Sequence, residues 1–200
     1  AVRSLEEALE VVRTMRTRAF GQLLVFLETL RTLSPGEAER ALELFPQVRP
    51  TFPFDEVGQR LRPHLRSGRH REAIEAMLEE VWQGRWERAE RLAGVLRGRV
   101  FTHCNVSGEL ALAARLCPHT VEFYATETRP WLQGHLTAWE LARQGTPVTL
   151  VPDAMADQVL TRCDMVVVGS DRTTAGGDVV NKAGTYQIAL CARDRGVPLW

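Results

Sequence analysis

From residue 99 onward the chain alternates short apolar runs with amphipathic segments, and that alternation constrains the fold more than any other feature. Apolar runs at 99–102, 120–125, 147–151 and 164–169 have strand length. The stretches near 107–116, 131–144, 154–161 and 180–194 carry apolar residues at helical spacing. Strand, helix and strand repeated in this order predict a parallel sheet with helices packed on it, because a parallel connection must cross over one face of the sheet. Val197-Pro198-Leu199-Trp200 is expected to begin another strand, so the sheet is expected to be incomplete at the C-terminal end.

Residues 1–98 follow a different rule. Leu23, Leu24, Leu27 and Leu30 recur at three- and four-residue intervals, and β-branched runs are scarce. Ser34-Pro35 reads as an N-cap followed by a first helical residue, and Arg49-Pro50-Thr51-Phe52-Pro53 must interrupt any helix. The expected architecture is α/β: a helical domain over 1–98, then a Rossmann-like parallel sheet with flanking helices over 99–200.

In open parallel sheets, ligands bind beyond the carboxyl ends of the strands. Here those ends carry His103-Cys104-Asn105, Glu127-Thr128-Arg129, Asp153 and Ser170-Asp171-Arg172. A glycine-rich loop, Ala175-Gly176-Gly177-Asp178, follows. Asn181-Lys182-Ala183-Gly184-Thr185 is expected to open the next helix, where free backbone N–H groups favour an anion.

Composition sharpens this. Of twenty-five basic residues only Lys182 is lysine, and Asn105 and Asn181 are the only asparagines. In a chain that otherwise avoids both residue types, the survivors occupy two short motifs at the predicted site. Twenty-five acidic residues balance the basic ones, leaving no overall field to hold a nucleic acid, so a bound phosphate must be small and held locally. No signal peptide or membrane span is evident, which places the protein in the cytoplasm by expectation. Cys104, Cys117, Cys163 and Cys191 form no C-x-x-C pair, so neither a disulfide scaffold nor a zinc site is expected. Cys117, Cys163 and Cys191 read as packing residues, and Trp82, Trp86, Trp131 and Trp139 as core or subunit contacts.

The segments T-H-C-N, E-T-R-P-x-x-Q-G, G-x-D-R and G-D-x-x-N-K-x-G-T-Y, in this order and spacing, resemble the sugar-1-phosphate isomerases related to initiation factor 2B subunits. Upstream, Arg49-Pro50-Thr51 is similar to the family's R-P-T segment. Met15-Arg16-Thr17-Arg18 is similar to its M-x-x-R-G-A, with Ala19 where the family has glycine. The resemblance implies conversion of an aldose 1-phosphate to the ketose 1-phosphate without cofactor or metal, by a homodimer. Methylthioribose 1-phosphate is the favoured substrate; ribose 1,5-bisphosphate and a 5-deoxypentose 1-phosphate are alternatives. It implies Cys104 as general acid and Asp171 as general base. Substrate or phosphate contacts fall on Arg49, Arg129, Gln133, Asn181 and Lys182, with Asn105 and Arg18 beside them. A non-catalytic regulatory subunit of the same fold is the rival reading.

Overall fold

The computed structural model of the chain describes residues 4–17 and 20–200. Two compact units run Ala1–Gly84 and Arg85–Trp200.

The first unit is helical: α1 Leu5–Arg13, α2 Phe20–Thr32, α3 Pro35–Val48, α4 Phe54–Arg66, and the first half of α5 His70–Val95, which continues into the second unit. Its helix starts follow from sequence. The Ser4 hydroxyl accepts the Glu7 N–H at 3.2 Å at the head of α1. At the head of α3, Glu37 accepts the Ser34 N–H at 3.0 Å and Pro35 takes the first helical position. Val48 ends α3, and the proline-rich break leads into α4 at Phe54. Phe26, Phe45 and Phe54 are fully buried with ring centroids 4.8–5.2 Å apart, each contributing roughly 1.5–3 kcal/mol by leaving water.

The second unit holds β1 Gly98–His103, α6 Glu109–Leu116, β2 Val121–Thr126, α7 Gln133–Arg143, β3 Val148–Val151, a short 3-10 turn Asp153–Met155 running into α8 Ala156–Leu160, β4 Met165–Val168, a hairpin of β5 Arg172–Thr173 and β6 Val179–Val180, and α9 Thr185–Asp194. The first four strands form one parallel sheet in the order β3-β2-β1-β4. Successive residues of β1 serve opposite faces. Val100 packs with Phe123, Leu110, Ala113 and Leu141, whereas Phe101 packs with Val166, Leu160, Ile188 and Ala192. A sheet covered on both faces needs the near-continuous apolar strands that the sequence supplies. The C-terminal residues extend it beside β4, with Val166 N–H to Pro198 O at 2.8 Å and Trp200 N–H to Val166 O at 2.9 Å.

Two expectations need correction. The helix anticipated from residue 180 begins at Thr185, because Val179 and Val180 are drawn into the β5–β6 hairpin closed by Gly177 at φ +89°. Asn181 and Lys182 therefore sit in a loop ahead of α9. Of the two roles expected for the tryptophans of the second unit, core or subunit contacts, the first is excluded: Trp86, Trp131 and Trp139 are 42%, 60% and 55% exposed, and Arg143 lies 5.0 Å over the Trp139 ring.

Candidate functional site

The strand order places a topological switch between β1 and β4. The chain leaves β1 through α6 toward β2 on one side, and leaves β4 toward the segment ending at Trp200 on the other. Loops that diverge this way open a crevice at the carboxyl ends of the two strands. His103 pairs with Val168 in register, so Cys104 follows β1 directly and Gly169-Ser170-Asp171 follows β4. The two segments run side by side: a Cβ added to Gly169 would come into van der Waals contact with Val106 Cγ1 at 3.4 Å.

Cys104 is half-buried and adopts φ +72°, a left-handed conformation that a residue with a Cβ rarely takes. Its backbone is held from both sides, with its N–H donated to Thr128 Oγ1 at 2.9 Å and its carbonyl accepting from Thr137 Oγ1 at 2.8 Å. Asn105 braces the same loop. Its amide donates to Thr137 Oγ1 at 3.0 Å and Glu140 Oε2 at 2.9 Å, and its oxygen accepts the Ser107 N–H at 2.8 Å. Both amide hydrogens are thus taken by protein partners. Burial pushes the Glu140 carboxyl above its ordinary range, against the Asn105 hydrogen bond that lowers it.

The loop after β2 is fixed by Asp153 from the end of β3. Its carboxylate accepts the Thr128 N–H at 2.8 Å and the Arg129 N–H at 2.7 Å. The Arg129 guanidinium is exposed, 3.5 Å from Glu127. Gln133 is buried at the first turn of α7. Across the switch, the Asp171 N–H donates to Val180 O at 2.9 Å, so the hairpin joins Asp171 to the loop containing Asn181 and Lys182. Asn181 donates to Thr185 Oγ1 at 3.0 Å. Asn181 and Lys182 line a cleft of about 650 Å³ with Gly169, Ser170, Tyr186 and Trp200.

His103 is 2% exposed at the end of β1, with Nδ1 2.6 Å from Thr126 Oγ1 and Nε2 2.8 Å from Ala183 O. Burial pushes its pKa below the ordinary histidine value, opposed by the Ala183 hydrogen bond. Cys163 is a packing thiol, its pKa pushed up to about 11 by burial. Among the described residues, no group of three or more His, Cys, Asp or Glu could hold a metal ion, and no helix is long and apolar enough to cross a membrane.

The second unit thus brings Cys104, Asn105, Asp171, Asn181 and Lys182 to one end of one sheet, with Arg129 and Gln133 on the neighbouring loop. Arg49 belongs to the helical unit, where its N–H bonds Phe45 O at 3.1 Å and its guanidinium contacts Met15 Sδ. Arg18 lies outside the described residues. Sequence reasoning placed Thr128 at a strand end without a role, and missed Thr126, Thr137 and Glu140. The one available signal was polar residues ending an apolar strand and recurring on the inner side of α7.

Residues 67–200 match the model of the initiation factor 2 subunit family. A methylthioribose-1-phosphate isomerase of Desulforudis audaxviator is 36% identical over 98% of this chain and 67% of its own length. One of Heliobacterium modesticaldum is 44% identical over 62% of this chain and 39% of its own. A 5-deoxyribose 1-phosphate isomerase of Moorella thermoacetica is 47% identical over 50% of this chain and 32% of its own. The chain therefore spans from about a third to two thirds of these relatives. In fold it is similar to the crystal structure of the Pyrococcus horikoshii translation initiation factor eIF-2B, with a TM-score of 0.84 over 97% of this chain and 77% of that one at 23% identity.

Proposed function

The chain belongs to the initiation factor 2 subunit family, and from that premise we propose that it is a cytoplasmic, homodimeric aldose–ketose isomerase of a pentose 1-phosphate, with methylthioribose 1-phosphate as substrate. The observation that carries this reading is the side-by-side course of the Cys104 loop and the Asp171 segment at the switch between β1 and β4. The relatives named as isomerases support it.

The chemistry needs two groups. A phosphorylated anomeric oxygen cannot ring-open as a free hemiacetal does, so an acid must protonate the ring oxygen as its bond to C1 breaks. The Cys104 thiol supplies that proton. On a hydride route the C2 hydrogen moves to C1 while Asp171 takes the proton of the C2 hydroxyl. On a proton route Asp171 takes the C2 proton and returns it to C1 of the resulting enol, while the C2 hydroxyl proton goes to the Cys104 thiolate. On either route C2 becomes the carbonyl. Lys182, Asn181, Arg129 and Gln133 bind the phosphate and hydroxyls. Asn105, whose amide hydrogens are already bonded, serves by holding the Cys104 loop. Local donors must do this work because the chain has no net charge.

The test is a panel of methylthioribose 1-phosphate, a 5-deoxypentose 1-phosphate and ribose 1,5-bisphosphate, followed by ¹³C and ³¹P NMR. Appearance of a ketose 1-phosphate supports the isomerase, and the fastest member identifies the substrate. No turnover of any member removes the isomerase and leaves a non-catalytic subunit.

A further inference from the structure

His103 is the one buried titratable side chain at the site that the proposed chemistry does not use, and its hydrogen bonds have a definite direction. A carbonyl only accepts, so the bond to Ala183 O places the proton on Nε2. In the neutral ring, which burial favours, Nδ1 is then an acceptor, and the Thr126 hydroxyl must donate to it. With its hydrogen spent, Thr126 Oγ1 can only accept from Thr128 Oγ1, 3.2 Å away. The one Thr128 hydroxyl hydrogen is shared between that oxygen and the Thr126 carbonyl at 3.3 Å, so either way it is donated to Thr126. Thr128 Oγ1 in turn accepts the Cys104 N–H. A directed series runs from the Cys104 amide through Thr128, Thr126 and His103 to the Ala183 carbonyl, from the loop after β1 to the loop before α9.

Backbone geometry shows how closely the ring is seated. A Cβ on Gly184 would lie 3.0 Å from His103 Nε2, and Gly184 has φ +103°. Glycine is required there for both reasons, and the ring lies against the peptide that follows Asn181-Lys182-Ala183. At the other end, Cys104 and Thr128 both hold left-handed conformations, at φ +72° and +61°, and the hydrogen bond between them spans the two. Such conformations persist where the surroundings over-determine them.

We propose that His103 is a positioning residue that locks the Cys104 loop and the Asn181–Lys182 loop into one unit, so that the thiol and the phosphate-holding groups are set together. The coupling stands on these distances alone; its consequence for turnover rests on the isomerase reading. His103 acts through its neighbours, the Thr126 hydroxyl and the Ala183 carbonyl. Its neutral state agrees with the lowered pKa, and Asp153 and Lys182 are the charges that bear on it.

The two ring nitrogens can be tested separately. In His103→Gln the side-chain amide nitrogen can reach the position of Nε2 and donate to Ala183, while nothing replaces Nδ1. In His103→Asn the shorter amide can replace Nδ1 for Thr126, while nothing reaches Ala183. Loss of one neutral hydrogen bond should accelerate local amide exchange ~10-fold. Hydrogen exchange followed by mass spectrometry should therefore show faster exchange over 181–186 in His103→Asn, and faster exchange over 102–106 in His103→Gln. Kinetics should split the same way: KM and the Kd for inorganic phosphate rise ~10-fold in His103→Asn, and kcat falls ~10-fold in His103→Gln with KM nearly unchanged. His103→Ala should do both.

Equal exchange in the two segments across all three variants would overturn the coupling whatever the activity. Split exchange in a protein that turns over no sugar phosphate would keep the coupling and remove the isomerase. If His103→Ala does not fold, the Gln and Asn variants, which keep one bond each, carry the test.

Discussion

Gly134 of α7 is packed so tightly on the end of β2 that a Cβ there would lie 1.5 Å from the Thr126 carbonyl oxygen. No side-chain rotation relieves a clash with backbone, so Gly134→Ala must push α7 away from the strand carrying Thr126. Overpacking of this kind costs about 1–3 kcal/mol, readable as a lower urea midpoint. Gln133 is the preceding residue, so kcat/KM should fall as well. Gly94→Ala is the control: nothing lies near its Cβ position in α5, and it should stabilise the protein by about 0.5–1 kcal/mol.

Asn105→Ala separates a bracing role from a substrate contact. Its amide bonds Thr137 and Glu140 and its oxygen bonds Ser107, so removal leaves the half-buried Glu140 carboxylate short of a donor. The expected outcome is a loss of about 1–3 kcal/mol in chemical denaturation together with reduced turnover. A variant with wild-type stability and a raised KM would return Asn105 to the substrate.

The sheet was legible in the sequence because both its faces are buried, which forces apolar runs whose length and spacing survive without any neighbour in view. The site was legible only in part. Lys182, Asn105 and Asn181 stood out through rarity, Cys104 and Asp171 through their place at strand ends, and the roles proposed for them came from the family resemblance. The Asn105 bracing and the His103 series did not, since a threonine ending a strand looks the same whether it faces solvent or bonds an imidazole 23 residues away in sequence. The β5–β6 hairpin was hidden as well. Its strands are two residues long, below the span at which alternation can be read, and Val179 and Val180 blended into the helix that follows.

Cys104→Ser and Asp171→Asn should each lower turnover ~10²-fold or more, the usual contribution of a general acid or base. Both side chains are partly exposed, so thermal melts should stay near wild type. Near-native turnover in either variant would withdraw that residue from the chemistry.

His103 also predicts a pH dependence of stability. Its folded-state pKa lies below the unfolded value near 6.5, so between the two values the unfolded chain binds the extra proton. The His103 contribution is intact above about pH 6.5 and declines as pH falls toward the folded pKa, at no more than about 1.4 kcal/mol per pH unit. Glu140 works in the opposite sense, because its raised carboxyl pKa lets the folded state hold a proton more readily as pH falls. The measurement is therefore a difference: between pH 7.5 and 5.5 the wild type should lose more stability than His103→Gln. Parallel curves would show that the imidazole is not held neutral.

Lys182→Arg tests whether the one lysine in the chain is there for its shape. Lys182 sits half-buried in the loop between β6 and α9, beside Ala183, whose carbonyl is bonded to His103, and Gly184, which has no room for a Cβ. Arginine keeps the charge, yet its planar fork is bulkier and cannot present the compact charge of an ammonium beside a crowded backbone. A lysine on a solvated surface tolerates this exchange with stability within about 0.5 kcal/mol and function unaltered. A lysine that meets the phosphate does not. The variant should fold normally and lose ~10-fold in kcat/KM, about 1.4 kcal/mol of transition-state stabilisation. Inorganic phosphate should also compete less well against substrate in the variant than in the wild type. Wild-type kinetics with unchanged phosphate inhibition would mean that the ammonium does not meet the phosphate, and its binding would then have to rest on Asn181 and Arg129.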